Sequence, residues 1–420
     1  MNNVISKNVD KFKSVSIRVN FFLPLSEINA SRNALLALVM KKANKFYESE
    51  KKLEKKLSSL YDAKLDIGID KFSNSLCLNY RLECINGVKD IDVLDETLEM
   101  LYSSILYPRV IDDGKVLSLD SLIVEREKQN LLQKIAEEKD NKRKYSLKQL
   151  EHNMFKNLPY GISVLGDENI ILNTTAKELY EHYNYMLKNS NIVVEVVGNL
   201  LGHENIATTI YNHILDNIEN IPCFNCEREV DIFEDRNSPE VITEEQDINQ
   251  SVLTIGCSLG KLSVEDTYKA MVYTQILGGS PSSKLFQNVR EKESLAYFAK
   301  AIYNRQKEVI YLFSGIAPEN YEKAKCVMLK QLDEIKEGNI SEIELNAAKQ
   351  NILFEYNDAK DSKEEYAKIL LANEMYFKEV VEIEDILDKI NNVSMQDVID
   401  IANKVKVKQV FLLGGKVSDN

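Results

Sequence analysis

The chain has 420 residues, of which 44% are apolar and 28% charged, and its formal net charge is −13. This length exceeds one ordinary hydrophobic core, so we expect at least two domains. The acidic balance argues against nucleic acid or an anionic membrane as the main partner. No apolar run approaches the roughly 20 residues of a membrane span, and the first residues contain no apolar signal segment. Six scattered cysteines are too few for a disulfide scaffold, which favours a cytoplasmic location.

The first half of the chain alternates strand and helix signals. Residues 14–25 first alternate between apolar and polar side chains and are then continuously apolar, which predicts a strand. The apolar positions that follow, among them Leu35, Leu38 and Val39, predict a helix. Two strands near 63–71 and 75–83 come next, then helices over 92–107 and 121–140. A capping box at Thr175 and Glu178 opens a further helix, and residues 192–197 predict a buried strand.

The second half repeats these landmarks in the same order. Residues 251–262 match 14–25, a capping box at Ser263 and Asp266 opens a helix, and strands near 299–304, 309–316 and 410–413 follow. Each half therefore predicts an α+β domain, an antiparallel sheet with helices packed on one face. We place these tandem homologous domains at 1–218 and 251–420. The polar, proline-containing residues 219–250 between them predict a linker.

Residues 280–297 carry the strongest pattern in the chain. They follow Gly278 and Gly279 and contain S-K-L-F-Q-N-V-R-E-K-E-S-L-A-Y, which ends at Tyr297. Arg290 and Tyr297 lie seven residues apart, so one helix face would present both side chains. A guanidinium and a phenol are donors suited to a peptide carbonyl or a developing oxyanion. The alternative from spacing alone is a surface ion pair of Arg290 with a neighbouring glutamate, beside a half-buried tyrosine.

This segment resembles, nearly residue for residue, the S-[KR]-L-[FY]-x-x-[VL]-R-E-x-x-x-L-[AS]-Y segment of the insulinase/pitrilysin family, the inverzincin zinc peptidases. Residues 159–161 and 165–167 resemble the end of the family's first domain. The resemblance implies that the two domains form half of a clam-shell chamber. It also implies that Arg290 and Tyr297 face a zinc site held by the N-terminal half of this chain or of a partner.

The zinc ligands of that family are missing from this sequence. Active members use H-x-x-E-H on the first helix and a glutamate on a later helix. By similarity the motif falls at 35–39, where Leu35, Leu38 and Val39 cannot bind a metal, and the later glutamate falls at Lys134. No two of the four histidines stand four residues apart. We therefore expect a degenerate zinc site, no cofactor in this chain and no peptidase activity from the chain alone.

Two other motifs carry weaker signals. Cys223 and Cys226 form a lone C-x-x-C in the linker, without the second pair of a zinc ribbon or the strand–helix setting of a redox site. Gly278, Gly279 and Ser280 lack the lysine ending of a phosphate-binding loop. In mitochondrial processing peptidase, a member of the family, the non-catalytic subunit has a longer glycine-rich loop near this position that handles substrate.

The resemblance implies a non-catalytic subunit of a bacterial heterodimer. Its partner would be a zinc-bearing paralogue, its substrate an unfolded peptide bound by strand addition, and Arg290 and Tyr297 would act on the partner's zinc site. The zinc-less branch that the chain resembles most is associated with 5-aminopentanol modification of elongation factor P, and other such pairs serve peptide maturation. Two alternatives stay open: a purely structural scaffold with the same fold, and a stand-alone peptidase with a different metal site.

Overall fold

The structure is a computed structural model that describes residues 2–86, 93–114, 116–222, 228–231, 233, 238–378 and 381–414. The strands in these ranges are β1 (Val4–Asn8), β2 (Ser14–Pro24), β3 (Lys64–Phe72), β4 (Ser75–Ile85), β5 (Val110–Asp112), β6 (Leu117–Leu119), β7 (Asn191–Gly198), β8 (Glu240–Glu245), β9 (Ser251–Ser258), β10 (Ala296–Asn304), β11 (Val309–Ile316) and β12 (Lys406–Gly414). The helices are α1 (Glu27–Met40), α2 (Glu50–Ser59), α3 (Leu94–Leu106), α4 (Ser121–Asp140), α5 (Lys142–Met154), α6 (Glu168–Asn173), α7 (Ala176–Asn189), α8 (Ile206–Asp216), α9 (Val264–Thr274), α10 (Tyr321–Lys336), α11 (Glu342–Ala359), α12 (Lys363–Phe377), α13 (Ile383–Asn391) and α14 (Met395–Lys404). Two π-helices span Gln275–Gly279 and Phe286–Lys292. No helix in these ranges combines the length and the apolar character needed to cross a membrane.

The first sheet has the strand order β1-β7-β2-β4-β3, with β2 at its centre. β2 is antiparallel to both β4 and β7, while β1 joins the edge parallel to β7. Alternate residues of a strand point to opposite faces, so Val15, Ile17, Val19 and Phe21 all enter one apolar core. Burying such side chains contributes about 1.5–3 kcal/mol each, which explains why their alternation is so clear in the sequence.

The second sheet repeats this arrangement. Its order is β8-β12-β9-β11-β10, so each strand of the first sheet has a counterpart in the same place. Even the parallel edge recurs, because β8 pairs parallel to β12 as β1 pairs parallel to β7. The prediction of an α+β fold with two copies of one domain is confirmed. The one parallel pair in each sheet was not predicted.

The chain forms two compact units, and each takes one helix from the other half of the sequence. Unit 1 comprises residues 1–136, 162–228 and 360–380, and unit 2 comprises residues 137–161, 229–359 and 381–420. In unit 1, α12 packs on β7 and β2 of the first sheet. In unit 2, α5 packs on β9 and β12 of the second sheet. We call α5 and α12 the exchanged helices.

The exchanged helices meet their sheets through different chemistry. In unit 1, the Lys363 ammonium lies 2.7 Å from the Glu83 carboxylate, and an Arg18 guanidinium nitrogen lies 3.3 Å from Glu364. Arg18 alternates with the core residues of β2, so α12 covers the face of the sheet that is turned away from the apolar core. In unit 2, α5 contributes to an apolar cluster formed by Leu150, Met154, Phe155, Tyr160, Val252, Val309, Tyr311, Phe411 and Leu413. The contact of α12 thus includes ion pairs at its N-terminal end, whereas α5 joins an apolar cluster.

The interval 219–250, predicted as a linker, contains the edge strand β8. Most of β8 is exposed, so it carries no apolar alternation, and its acidic residues have the composition of a linker. β1 is also a short edge strand and escaped prediction for the same reason. The domain boundaries at 218 and 251 stay a prediction, and the two compact units extend across them through the exchanged helices.

The helix starts predicted at Thr175 and Ser263 are confirmed, but of the two only Thr175 forms the full capping box. Thr175 and Glu178 exchange side-chain and backbone hydrogen bonds at the start of α7. At the start of α9, Ser263 accepts a hydrogen bond from the Asp266 amide at 3.1 Å. A cap of this kind stabilises a helix by about 1 kcal/mol and needs only residues three apart, so it is visible in the sequence.

Candidate functional site

Helix α1 carries the residues that correspond to the degenerate zinc site. Ser26 caps this helix by accepting a hydrogen bond from the Asn29 amide. Leu35 and Val39 are 0% and 5% exposed, and Leu38 is partly buried against the same core. These residues therefore lie in or against the apolar core. None of the three side chains has a donor atom for a metal, so these residues do not fit a zinc ion.

Lys134, the other residue of the degenerate site, is exposed on α4. Earlier in the same helix, Glu127 is only 2% exposed, and its carboxylate accepts hydrogen bonds from Arg126 at 3.0 Å and Asn130 at 2.8 Å. This carboxylate is therefore satisfied by its own helix. Within the described ranges, no group of three His, Cys, Asp or Glu side chains is placed to hold a metal ion.

His182, on α7, is a core residue rather than a ligand. Its Nε2 lies 2.8 Å from the Asn33 side-chain oxygen of α1, and the residue is buried. Burial, and secondarily the nearby Arg32 guanidinium, lowers its pKa to about 3, so the ring is neutral near pH 7. The neutral ring donates from Nε2 and ties α7 to α1.

Arg290 lies on the second π-helix, and its side chain is exposed. Its guanidinium carbon stands 4.5 Å from the centre of the Phe286 ring, and its Nε stands 3.7 Å from the Glu291 carboxylate. An exposed ion pair of this kind contributes about 0–1 kcal/mol, so Glu291 holds the guanidinium only loosely. Stacking on the Phe286 ring orients the guanidinium without using its N–H donors.

Tyr297 lies on strand β10, so the predicted helix face shared with Arg290 is wrong. The π-helix ends at Lys292, and Ser294 then adopts a left-handed backbone with φ of 49°. That conformation breaks the helix and turns the chain into β10. The Tyr297 side chain is 71% exposed rather than half-buried. Both side chains are accessible on consecutive elements, and their roles stay a prediction.

The glycine loop begins at the end of the first π-helix. Gly278 lies so close to β10 that an added Cβ atom would stand 2.3 Å from the Ala301 nitrogen, so this position requires glycine. Ser280 follows in an extended conformation, and its hydroxyl lies 2.9 Å from the Ser282 hydroxyl. The Ser283 hydroxyl donates to the Ser280 carbonyl at 2.6 Å. The loop serine hydroxyls thus bond within the loop, and a role for Gly278, Gly279 and Ser280 in substrate handling stays a prediction.

A cavity of about 440 Å³ opens beside this loop in unit 2. We call it the β10 cavity, and its charged lining residues are Arg143, Lys300, Arg305 and Glu355. Burial raises the pKa of Glu355, although a hydrogen bond with Gln275 opposes the shift. This site was not predicted from the sequence, because its cationic residues come from two halves of the chain.

The described cysteines give no sign of a reactive thiol pair. Cys223 and Cys226 lie outside the described residues, so the C-x-x-C motif has no structural account. Burial raises the pKa of both the Cys84 and Cys257 thiols to about 12, which keeps them protonated and unreactive near pH 7.

Comparison with known proteins relates this fold to the zinc peptidases. A protein-family model described as the peptidase M16 inactive domain matches residues 173–352. M16 is the group of the insulinase/pitrilysin peptidases, so the family identified from residues 280–297 is confirmed. The chain is a homologue of the M16 metalloproteases, and its residues 173–352 match their inactive domain.

Similar proteins cover nearly the whole chain. The probable inactive metalloprotease YmfF of Bacillus subtilis is 28% identical over 394 residues, covering 92% of this chain and 89% of that protein. An uncharacterized zinc protease of Rickettsia bellii is 24% identical over 317 residues, covering 69% of this chain and 72% of that protein. A conserved protein from Enterococcus faecalis has a solved structure with a TM-score of 0.87 at 25% identity, covering 99% of this chain and 96% of that one. The peptidase M16 inactive domain from Pseudomonas fluorescens shares the fold, with a TM-score of 0.78 at 17% identity and coverage of 99% and 96%.

Proposed function

We propose that this protein is the zinc-less subunit of a heterodimeric M16 peptidase. Its partner is a paralogue that carries H-x-x-E-H and the zinc ion. This subunit binds the unfolded peptide substrate and presents Arg290 and Tyr297 to the partner's site. The observation that carries the proposal is the exposure of Arg290 and Tyr297 on a fold whose own zinc position is apolar core.

The chemistry of the two side chains fits this role. Peptide hydrolysis places negative charge on the carbonyl oxygen, and donors aimed at that oxygen lower the barrier. The guanidinium of Arg290 presents N–H donors, and among the described residues only the Phe286 ring and the loose pair with Glu291 hold it. The hydroxyl of Tyr297 is a second donor on a side chain that is 71% exposed. Neither side chain must leave a buried bonded state before it can bind a peptide.

The process served by this pair is either maturation of a peptide or 5-aminopentanol modification of elongation factor P. Both processes present an extended segment of polypeptide to the subunit. The edge strands β3 and β10 suit such a segment, because an edge strand offers unpaired backbone groups for strand addition.

The test is a trans-complementation assay on the co-purified pair. Arg290→Ala and Tyr297→Phe are compared with wild type, with Lys292→Ala and Tyr185→Phe as exposed controls of the same residue classes. Loss of one transition-state donor typically lowers turnover about 10²–10³-fold, so we expect each site variant to lose at least about tenfold. The controls should keep full activity, and dimerisation and melting temperature should stay unchanged in all four variants.

The alternative of a purely structural scaffold is favoured by one observation, the contacts of Arg290 with its own neighbours Phe286 and Glu291. Unchanged turnover in both site variants would support that alternative. The metal content of the purified chain distinguishes the third possibility, a stand-alone peptidase, from the other two. We expect elemental analysis of the purified chain to find no stoichiometric zinc, whereas one tightly bound equivalent would contradict the proposal.

A further inference from the structure

The β10 cavity of unit 2 takes the place in the second domain copy that the degenerate zinc site takes in the first. When α1 and α9 are aligned at their capping serines, Gln275 falls at the position of Leu38. When α4 and α11 are aligned at their first residues, Glu355 falls at the position of Lys134. Gln275 and Glu355 both line the cavity. Unit 2 thus has two polar side chains lining a cavity at the position where unit 1 has the apolar Leu38 and the exposed Lys134.

The cavity carries a local positive charge in an acidic chain. Arg143, Lys300 and Arg305 line it, against the single acid Glu355, while the whole chain has a net charge of −13. The Arg143 guanidinium carbon lies 3.9 Å from the centre of the Phe298 ring, which orients it and leaves its N–H groups free to donate. The side chains of Arg143 and Lys300 form no ion pair and no hydrogen bond with any residue that the structure describes.

The cavity lies at the free edge of the second sheet. β10 is the outermost strand of that sheet. Lys300 and Ala301 are neighbours on β10 and point to opposite faces, yet both line the cavity. Gly278 permits this arrangement, because it brings the end of the π-helix against the Ala301 backbone. An extended peptide that pairs with the edge of β10 would therefore pass the mouth of the cavity.

We propose that the β10 cavity binds a carboxylate of the peptide substrate, with Arg143 and Lys300 as its ligands. Its volume of about 440 Å³ suits one residue of a peptide rather than a longer segment. Arginine matches a carboxylate with two parallel N–H donors, and lysine adds a point charge. The carboxylate comes from an Asp or Glu side chain or from the peptide C-terminus. The inference rests on the proposed peptide-binding function and adds the class of substrate.

The experiment measures peptide binding to the isolated chain, without the partner. Three labelled peptides of equal length differ only in their carboxylates. The first has one central Glu and an amidated C-terminus, the second a free C-terminus and no acidic side chain, and the third has neither. We expect the first or the second to bind at least about tenfold more tightly than the third, which also identifies the source of the carboxylate. Raising the ionic strength should weaken that preference.

Lys300→Gln and Arg143→Gln should each raise the Kd of the preferred peptide about tenfold and leave that of the neutral peptide unchanged. Lys261→Gln, an exposed lysine of unit 2 outside the cavity, is the control. Lys300 is exposed, so this variant should fold normally, and an unchanged melting temperature verifies it. Equal binding of all three peptides, or no effect of either variant, would refute the carboxylate site but leave the peptide-binding function intact. Binding of none of the peptides would refute both.

Discussion

The buried carboxyl group of Glu195 leads to a prediction of how the free energy of unfolding depends on pH. This residue sits on β7 between two core valines, so its side chain points to the polar face of the first sheet that α12 covers. It is 0% exposed, and Asn20 donates to one carboxylate oxygen at 2.7 Å. The other oxygen has no hydrogen-bond partner among the described residues. Burial therefore raises the Glu195 pKa from 4.5 to about 7, even though Arg18 and Asn20 oppose the shift.

The sign of the effect follows from proton linkage. Below pH 4.5 the carboxyl is protonated in both the folded and the unfolded chain. Between pH 4.5 and about 7 the unfolded chain has lost this proton while the folded chain still binds it, so the folded state loses stability as the pH rises. At 1.36 kcal/mol per pH unit, the loss amounts to about 3 kcal/mol across this window. Above pH 7 the loss is complete and constant.

Glu195→Gln removes the titration and keeps an oxygen that accepts from Asn20. The stability of the variant relative to wild type should rise by about 3 kcal/mol between pH 4.5 and pH 8. Urea unfolding followed by far-UV circular dichroism is the assay, because the chain has no tryptophan. Hydrogen exchange of residues 191–198 assigns the transition to unit 1. Glu181→Gln, exposed on α7, is the control, and a stability difference that stays flat across the window would refute the reasoning.

Two further substitutions test the packing of each unit. Leu35→Ala should lower the free energy of unfolding by about 2–5 kcal/mol in a denaturant titration, because the side chain is fully buried; an effect below 1 kcal/mol would show that the site is not core. Lys307→Met should cost about 3–5 kcal/mol, because it leaves the Asp231 carboxylate, 2.7 Å from the Lys307 ammonium, without its buried partner. An unchanged melting temperature for Lys307→Met, with Lys261→Met as control, would contradict that account.

The sequence predicted what depends on short-range chemistry. Strand β2 and the caps at Thr175 and Ser263 were found because alternation and capping act over a few residues. The edge strands β1 and β8 were missed, since exposed edges select no apolar pattern. The prediction that Arg290 and Tyr297 share one helix face was wrong. The left-handed backbone of Ser294 ends the helix between them and changes the direction of the chain.

The β10 cavity could not be predicted because its parts meet only in the fold. Arg143 comes from α5, while Lys300 comes from a strand in the other half of the sequence. A signal did exist: when the corresponding helices of the two halves are aligned at their starts, Gln275 and Glu355 fall at the positions of the degenerate zinc site. Comparing the halves residue by residue, rather than landmark by landmark, would have pointed to this place.

The exchanged helices set the order in which the protein can be completed during its synthesis. The ribosome makes every strand of the first sheet within residues 1–198, but α12, which covers its charged face, emerges only at residues 363–377. Until then Arg18 and Glu195 lack the helix that encloses them. For α5 the order of synthesis is reversed, because this helix is made before any strand of the sheet that it covers. Each domain copy therefore contains a helix that is encoded in the other half of the gene.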